Sequence, residues 1–387
     1  MNKEDKIYVA GHRGLVGSAI IRILQAQGFS NLVMRTSKEL DLRRQEDTER
    51  FFHEERPAYV FLAAAKIGGI LANNTYKAEF IFDNIMITTN IIHSSYKYKV
   101  KKLFNLGSSC MYPKFAPQPI KNEYLLTGIP EPTNEPHAIA KIAALKLCQY
   151  YNEQYGTNFV SGIPANLYGP NDNSNLETAH VLPTLIRKFH LARLLKQKKL
   201  EDIKTDLHTY SIGFDLEKKI NYDSEESIQN TLEGIGVTNN YVAIWGSGEP
   251  YREFLYVDDL ASASVFVMKN YDNKEIGGFV NIGTGKDIKI KDLAKLIQEI
   301  VGFNGEIRYD TTKPDGTPRK VLDISKMRQL GWEPKTSLKE GIKMTYEWYI
   351  KSSYSAKTIQ HRPLSSANFS SQDSNINNAL HVPTRSG

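Results

Sequence analysis

His137 and Lys141 stand four residues apart in TNEPHAIAK (residues 133–141), a spacing that puts both on one face of a helix. A titratable ring beside an ammonium can hold or move a proton at a reacting oxygen. A second reactive group lies upstream in LGSSCMYPK (residues 106–114), where Ser108, Ser109 and Cys110 follow an apolar run. A third stretch, VAGHRGLVGSAI (residues 9–20), spaces Gly11, Gly14 and Gly17 at intervals of three between a strand-like run and a helix-like one. Glycines there permit a tight turn and close approach of backbone to a pyrophosphate, with the helix N-terminus offering its free N–H groups. After the next strand-like run the chain reads Arg35, Thr36, Ser37. A cation and hydroxyls there, with Arg13 in the loop, suit a ribose 2′-phosphate, where Asp or Glu would suit a 2′-hydroxyl. The blander readings are a glycine turn that binds nothing and a solvated arginine.

The elements that must position these residues follow from hydrophobic patterning. KIYVAG, NLVMRT, AYVFLAAA, KKLFNLGSS and FVSGIPANLYG read as five strands. Helices are expected over residues 15–27, over EDTERFFHEE, over residues 80–98 and over the His137 segment. Strands that are apolar throughout and alternate with helices predict an α/β fold, a parallel sheet covered on both faces. At the carboxyl edge of such a sheet Ser108, Cys110 and the His137 helix would meet. After Pro170 the alternation weakens, predicting a smaller, partly interleaved second unit. We expect residues 1–175 to form the dinucleotide unit, with a return near 254–285 through FVNIGTG, and residues 176–253 and 286–353 to form the second. Residues 196–240 are polar and charged, an insertion or flap, or simply a long surface excursion. KIKDLAKLIQEIVGFNG is an amphipathic helix closed by glycine, and residues 354–387 read as a disordered polar tail.

Taken together, the glycine loop, LAAAKIGGILANNTY, LGSSCMYPK, PTNEPHAIAKIA, NLYGPNDN, WGSGEPYREFLYVDDLA and KPDGTPRK closely resemble the GDP-L-fucose synthase family, in the extended branch of the short-chain dehydrogenase/reductases. The resemblance spans about residues 6–350. It implies a Rossmann-type doubly wound sheet, NADPH as cofactor, and C3/C5 epimerisation of GDP-4-keto-6-deoxy-D-mannose followed by C4 reduction. Mapped by motif, Ser108 would bond the ketone oxygen, Lys141 would hold the nicotinamide ribose, and Cys110 and His180 (in ETAHVLP) would move the protons of epimerisation. Further cofactor contacts are implied at His12, Leu15 and Val16, at Asp41 and Leu42, at Leu106, Gly107 and Ser109, and at Pro164, Asn166, Leu167 and His180. Substrate contacts are implied at Arg187, Lys188, Trp245, Arg252, Asp315 and Lys320, and a homodimer by analogy with the branch.

Two departures matter. His137 stands where the family has a catalytic tyrosine. It could replace that donor, it could spare epimerisation while crippling reduction, or it could fill space while Ser108 or water protonates the oxygen. Lys188 stands where the family often has a second arginine, keeping charge without a bidentate grip on phosphate. The substrate could therefore be a GDP-linked 6-deoxy-heptose, and the activity reduction alone or epimerisation alone. A binding protein that lost catalysis is the alternative of another class.

Bulk composition is compatible with all of these. The 387 residues are 41% hydrophobic and 24% charged with a net charge of +6, spread out apart from small clusters such as KQKK (residues 196–199). We therefore expect neither nucleic acid nor membrane as partner. Two cysteines, Cys110 and Cys148, cannot build a disulfide framework and no metal-ligand spacing occurs. A start without an apolar leader core predicts a cytoplasmic protein.

Overall fold

The computed structural model describes residues 1–313 and 315–360. Its first unit runs β1 (Ile7–Ala10), α1 (Leu15–Ala26), β2 (Leu32–Val33), α2 (Gln45–Glu55), β3 (Tyr59–Leu62), α3 (Ile70–Thr75), α4 (Lys77–Lys97), β4 (Lys102–Leu106), α5 (Glu135–Tyr155) and β5 (Phe159–Pro164). The strands line up in the order β2-β1-β3-β4-β5, every neighbouring pair parallel. All residues of β1, β4 and β5 are buried, which is why these strands read as unbroken apolar runs rather than alternating ones. Lys102 is the exception that proves satisfiable: its Nζ donates to the carbonyls of Val267 (2.7 Å), Met268 (3.1 Å) and Tyr271 at a helix C-terminus.

The expected fifth strand is two strands. FVSGIP forms β5, then the chain leaves the sheet, and β6 (Asn166–Tyr168) pairs instead with a strand of the second unit. The switch follows Pro164, and the Asn166 side chain ties the new direction by donating to the carbonyl of Glu253 at 2.7 Å. The second unit begins with α6 (Val181–Lys196), α7 (Leu200–Thr209) and α8 (Glu225–Gly234), then β7 (Tyr241–Trp245) and β8 (Tyr251–Tyr256). The chain then returns to the first unit through α9 (Val257–Asn270), packed beside α1, and β9 (Phe279–Ile282), which extends the sheet parallel to β5. After β9 come β10 (Asp287–Lys289), helix Ile290–Val301, β11 (Glu306–Asp310) and β12 (Arg319–Lys320). β10 and β12 flank β8, while β11 pairs with β7.

Residues 196–240 are neither a flap nor a surface excursion. Ile203, Leu207, Ile212, Ile220, Ile228 and Leu232 are all buried in the second core with α6 and helix Leu338–Gln360. The apolar residues sit three or four apart on α7 and α8, so each helix buries one stripe while its charges other than Asp206 stay outside the core. The tail also begins later than expected. Helix Leu338–Gln360 runs past residue 354, and residues 361–387 lie outside the described residues.

Candidate active site

The glycine loop joins β1 to α1. Gly11 has φ +81°, and a Cβ there would lie 2.8 Å from the Ala64 backbone; one on Gly17 would lie 2.2 Å from the Gly11 carbonyl oxygen. Both positions therefore exclude any side chain. Gly14 differs: it caps α1 without a side-chain bond, and an added Cβ would meet only the Gly11 oxygen at 3.5 Å. The first turn of α1 thus presents its backbone N–H groups to open space, an anion cradle. His12 Nδ1 is buried without a partner at the same place, and Arg13 is exposed beside it. Across the loop, Arg35 donates to Glu55 (2.5 Å) and the Met34 carbonyl (2.9 Å). The Thr36 N–H and hydroxyl both reach the exposed Glu39 carboxylate (2.7 and 2.8 Å), the donors an incoming phosphate would take over. Asp41 is held by Arg43, and the Leu42 carbonyl accepts from Asn90. This donor set fits a dinucleotide carrying an extra phosphate. Gly17→Ala is expected to abolish NADPH binding, measured by nicotinamide fluorescence titration, and to lower the unfolding midpoint; unchanged affinity would show that the loop does not hold the cofactor.

Beyond the loop, β4 delivers Ser108 and a single 3₁₀ turn, Ser109–Met111, places Cys110. The Cys110 N–H donates to Ser108 Oγ at 3.4 Å. Burial pushes the Cys110 thiol above its ordinary pKa; the Lys320 charge, the Ser108 bond and the Lys141 charge oppose this. Lys141 projects from α5 into the same region, 3% exposed, its Nζ donating to the Leu106 carbonyl at 2.8 Å. Burial lowers its pKa to about 8. One turn earlier on α5, His137 is 9% exposed and its Nδ1 faces Asn84 Nδ2 of α4 at 3.4 Å. Burial, then the Lys141 and His180 charges, push the imidazole down to about 3, so it is neutral in the working range. The largest influence is desolvation, which only the fold creates.

His180 caps α6, its ring accessible in a cleft dense with protein, and that surrounding protein and the Lys320 charge lower its pKa. Its loop is pinned to the α3 loop by a 2.7 Å bond from the Gly69 N–H to the Thr178 carbonyl. Lys320 of β12 lies beside Arg252 of β8 in register. Burial and that neighbouring guanidinium lower Lys320 to about 8. Cys110, Glu131, Asn134 and Lys320 line one cleft. Trp245 is 51% exposed with Lys313 Nζ 5.5 Å from its ring centre. Asp315 accepts from the Ser247 N–H and hydroxyl, a contact that glycine at 246 makes room for.

Two expected substrate contacts are corrected. Arg187 is fully buried. Its guanidinium donates to Asp206 (3.0 Å) and to the carbonyls of Ser174 (2.8 Å), Ser211 (2.6 Å) and Tyr210 (2.7 Å). Lys188 Nζ donates to the carbonyls of Ile235 (2.7 Å) and Ala243 (3.0 Å). Both cations are spent on tying α6 to Ser174 and to residues 206–243. Helix periodicity could not reveal this, because the acceptors come from the insertion's own fold. Conversely, Asn84 and Asn134, whose Oδ1 is buried without a partner, went unread. Asn84 lies 53 residues before His137, and its one signal is an amide on the buried side of an amphipathic helix. Among the described residues no group of three or more metal-ligating side chains occurs, and no helix is long and apolar enough to cross a membrane.

Comparison with known proteins agrees with this geometry. The profile described as the NAD dependent epimerase/dehydratase family matches residues 7–205 and 223–283, and the gap falls inside the insertion. GDP-L-fucose synthase 1 of Arabidopsis thaliana is 53% identical over 350 residues, covering 90% of this chain and 94% of the relative. Among solved structures, a GDP-6-OMe-4-keto-L-xylo-heptose reductase from C. jejuni is 43% identical, with TM-score 0.84 and coverage of 91% and 99%. A GDP-mannoheptose C4 reductase from Campylobacter jejuni with NADP bound is 40% identical, with TM-score 0.76 and coverage of 90% and 99%.

Proposed function

The chain belongs to the NAD dependent epimerase/dehydratase family, among the GDP-L-fucose synthases, and from that premise we propose that it is an NADPH-dependent epimerase/reductase of a GDP-linked 4-keto sugar. The substrate is GDP-4-keto-6-deoxy-D-mannose or a related 6-deoxy-heptose. The observation that carries this reading is convergence. Ser108, Cys110, His137, Lys141, His180 and Lys320 meet at the carboxyl edge of the sheet, beside the open glycine loop.

When bound, NADPH supplies the hydride that reduces C4. The α1 N–H groups and His12 hold its pyrophosphate, Arg13, Arg35 and Thr36 meet its 2′-phosphate, and Lys141 holds the nicotinamide ribose. Arg252 and Lys320 neutralise the substrate diphosphate, and Trp245 and Asp315 receive the guanine. A C–H bond beside a ketone is acidic because the enolate charge moves onto the ketone oxygen. Hydrogen bonds from Ser108 Oγ and from neutral His137 to that oxygen stabilise the charge, which desolvation makes worth more than in water. Cys110 and His180 then act as the pair that removes and returns the protons at C3 and C5. The same two donors meet the C4 alkoxide when the ketone is reduced, water supplying the proton that completes the alcohol, so one oxygen site serves both reactions. We expect the enzyme to pair as a homodimer through α4 and α5, which expose Phe82, Ile139 and Tyr150.

Incubation with GDP-4-keto-6-deoxy-D-mannose and its heptose analogue, with NADPH in deuterated water, tests this. The expected product is reduced at C4 and carries deuterium at C3 and C5. NADPH consumption without deuterium would favour reduction alone, the activity printed in the names of the two Campylobacter relatives. Neither reaction with any GDP-4-keto sugar would overturn the proposal.

A further inference from the structure

The amide of Asn84 is oriented by three bonds that have nothing to do with His137. Its Oδ1 accepts from the Lys66 N–H at 2.9 Å, and its Nδ2 donates to the carbonyls of Lys66 (3.0 Å) and Phe80 (2.7 Å). Flipping the amide would set N–H against N–H and oxygen against two carbonyls, so the orientation is fixed by the backbone. The side that faces His137 Nδ1 is therefore the donor side, at 3.4 Å. Two hydrogens are shared among three acceptors, and the contact to the ring is the longest.

We propose that Asn84 is a positioning residue that selects one tautomer of His137, leaving Nδ1 without a proton and Nε2–H to point at the ketone oxygen. An imidazole with a proton on Nδ1, whether as the other neutral tautomer or as imidazolium, would aim that hydrogen at an amide hydrogen. His137 thus acts as a fixed hydrogen-bond donor to the oxygen rather than as a cationic acid, a role that neutral imidazoles can fill where charge develops on a carbonyl oxygen. The groups around the ring agree. Lys141 on its own helix and His180 from the loop before α6 disfavour a charged ring. The acids of α4 do not offset them, because Asp83 pairs with Lys66 and Arg43, and Glu79 pairs with Lys66. The inference rests on His137 facing the reacting carbonyl, yet its first test is independent of turnover.

Histidine-selective ¹⁵N labelling of the full chain, with His137 assigned by the signal lost in His137→Gln, should show an Nε2–H ring that does not titrate between about pH 5 and 8. An Nδ1–H ring, or titration in that window, would overturn the proposal. In Asn84→Asp a carboxylate faces Nδ1; the expected result is a ring protonated on Nδ1 that titrates within the window, and a kcat lowered about 10²-fold with the KM for the GDP sugar nearly unchanged. Wild-type tautomer and wild-type pH profile in a folded Asn84→Asp would also sink it. Should that variant not fold, the wild-type spectrum decides.

Discussion

Lys141→Met is expected to lower ketone reduction by about 10²-fold, the usual cost of misplacing a reacting group when a positioning contact is lost. Methionine nearly matches the length of the lysine but carries neither charge nor donor, so the Leu106 carbonyl loses its 2.8 Å partner and the cofactor loses its ribose contact. NADPH oxidation under saturating substrate measures the loss, and a rate within twofold of wild type would exclude Lys141 from the site. The pH dependence has a definite sign. Burial lowers the lysine from 10.5 to about 8, so the charged form is lost as pH rises through about 8 and reduction should fall across that range. Lys320 is lowered to about 8 as well. Lys141→Arg, which cannot deprotonate, separates them: the alkaline limb disappears if it belongs to Lys141 and persists if it belongs to Lys320. Stability should move oppositely. Between about 8 and 10.5 the unfolded chain binds more protons than the folded one at these lysines, so folding is favoured as pH rises through that window.

Asp206→Ala should cost about 3–5 kcal/mol of stability, because it strands a guanidinium with no access to water. Arg187 and Asp206 are 0% and 1% exposed, and Asp206 also accepts from the Tyr349 hydroxyl. The cluster joins α6, α7 and helix Leu338–Gln360, so its loss should loosen the second unit and, through α6, the position of His180. The urea midpoint measures it. Lys218→Ala, which breaks an ion pair exposed at 80% and 75%, is the control and should shift nothing. Equal effects of the two substitutions would show that Arg187 finds other partners. The double variant Arg187→Met with Asp206→Leu should recover much of the loss, since well-packed apolar groups can replace a buried pair.

The first unit was legible because its signals are local. A strand buried on both faces must be apolar along most of its length, and β1, β4 and β5 are, with Lys102, Asn105 and Ser161 hydrogen-bonded inside. Gly11 and Gly17 report close approaches of backbone that leave no room for a side chain, within a few bonds of each other. The family motifs around Ser108, Lys141 and His180 are likewise short and contiguous. The second unit was less legible. Residues 196–240 look polar because α7 and α8 each bury only a narrow stripe, and a stripe becomes a core only against α6 and the closing helix. FVSGIPANLYG reads as one strand because β5 runs into β6 with only Ala165 between them, although they belong to different sheets.

By itself, the sequence determined the residue types: which groups can bear charge, where the glycines of the loop fall, and that a histidine stands four residues before Lys141. The tertiary structure decided what those groups are. Arg187 and Arg252 look alike along the chain, yet one is enclosed by the acceptors of the insertion while the other lies beside Lys320 at the cleft. His137 has the intrinsic pKa of any histidine, and its neutrality arises from burial and from Lys141 and His180, while an amide of α4 faces its Nδ1. Protonation and hydrogen-bond direction are set by desolvation and by partners distant in sequence, and those exist only once the chain has folded.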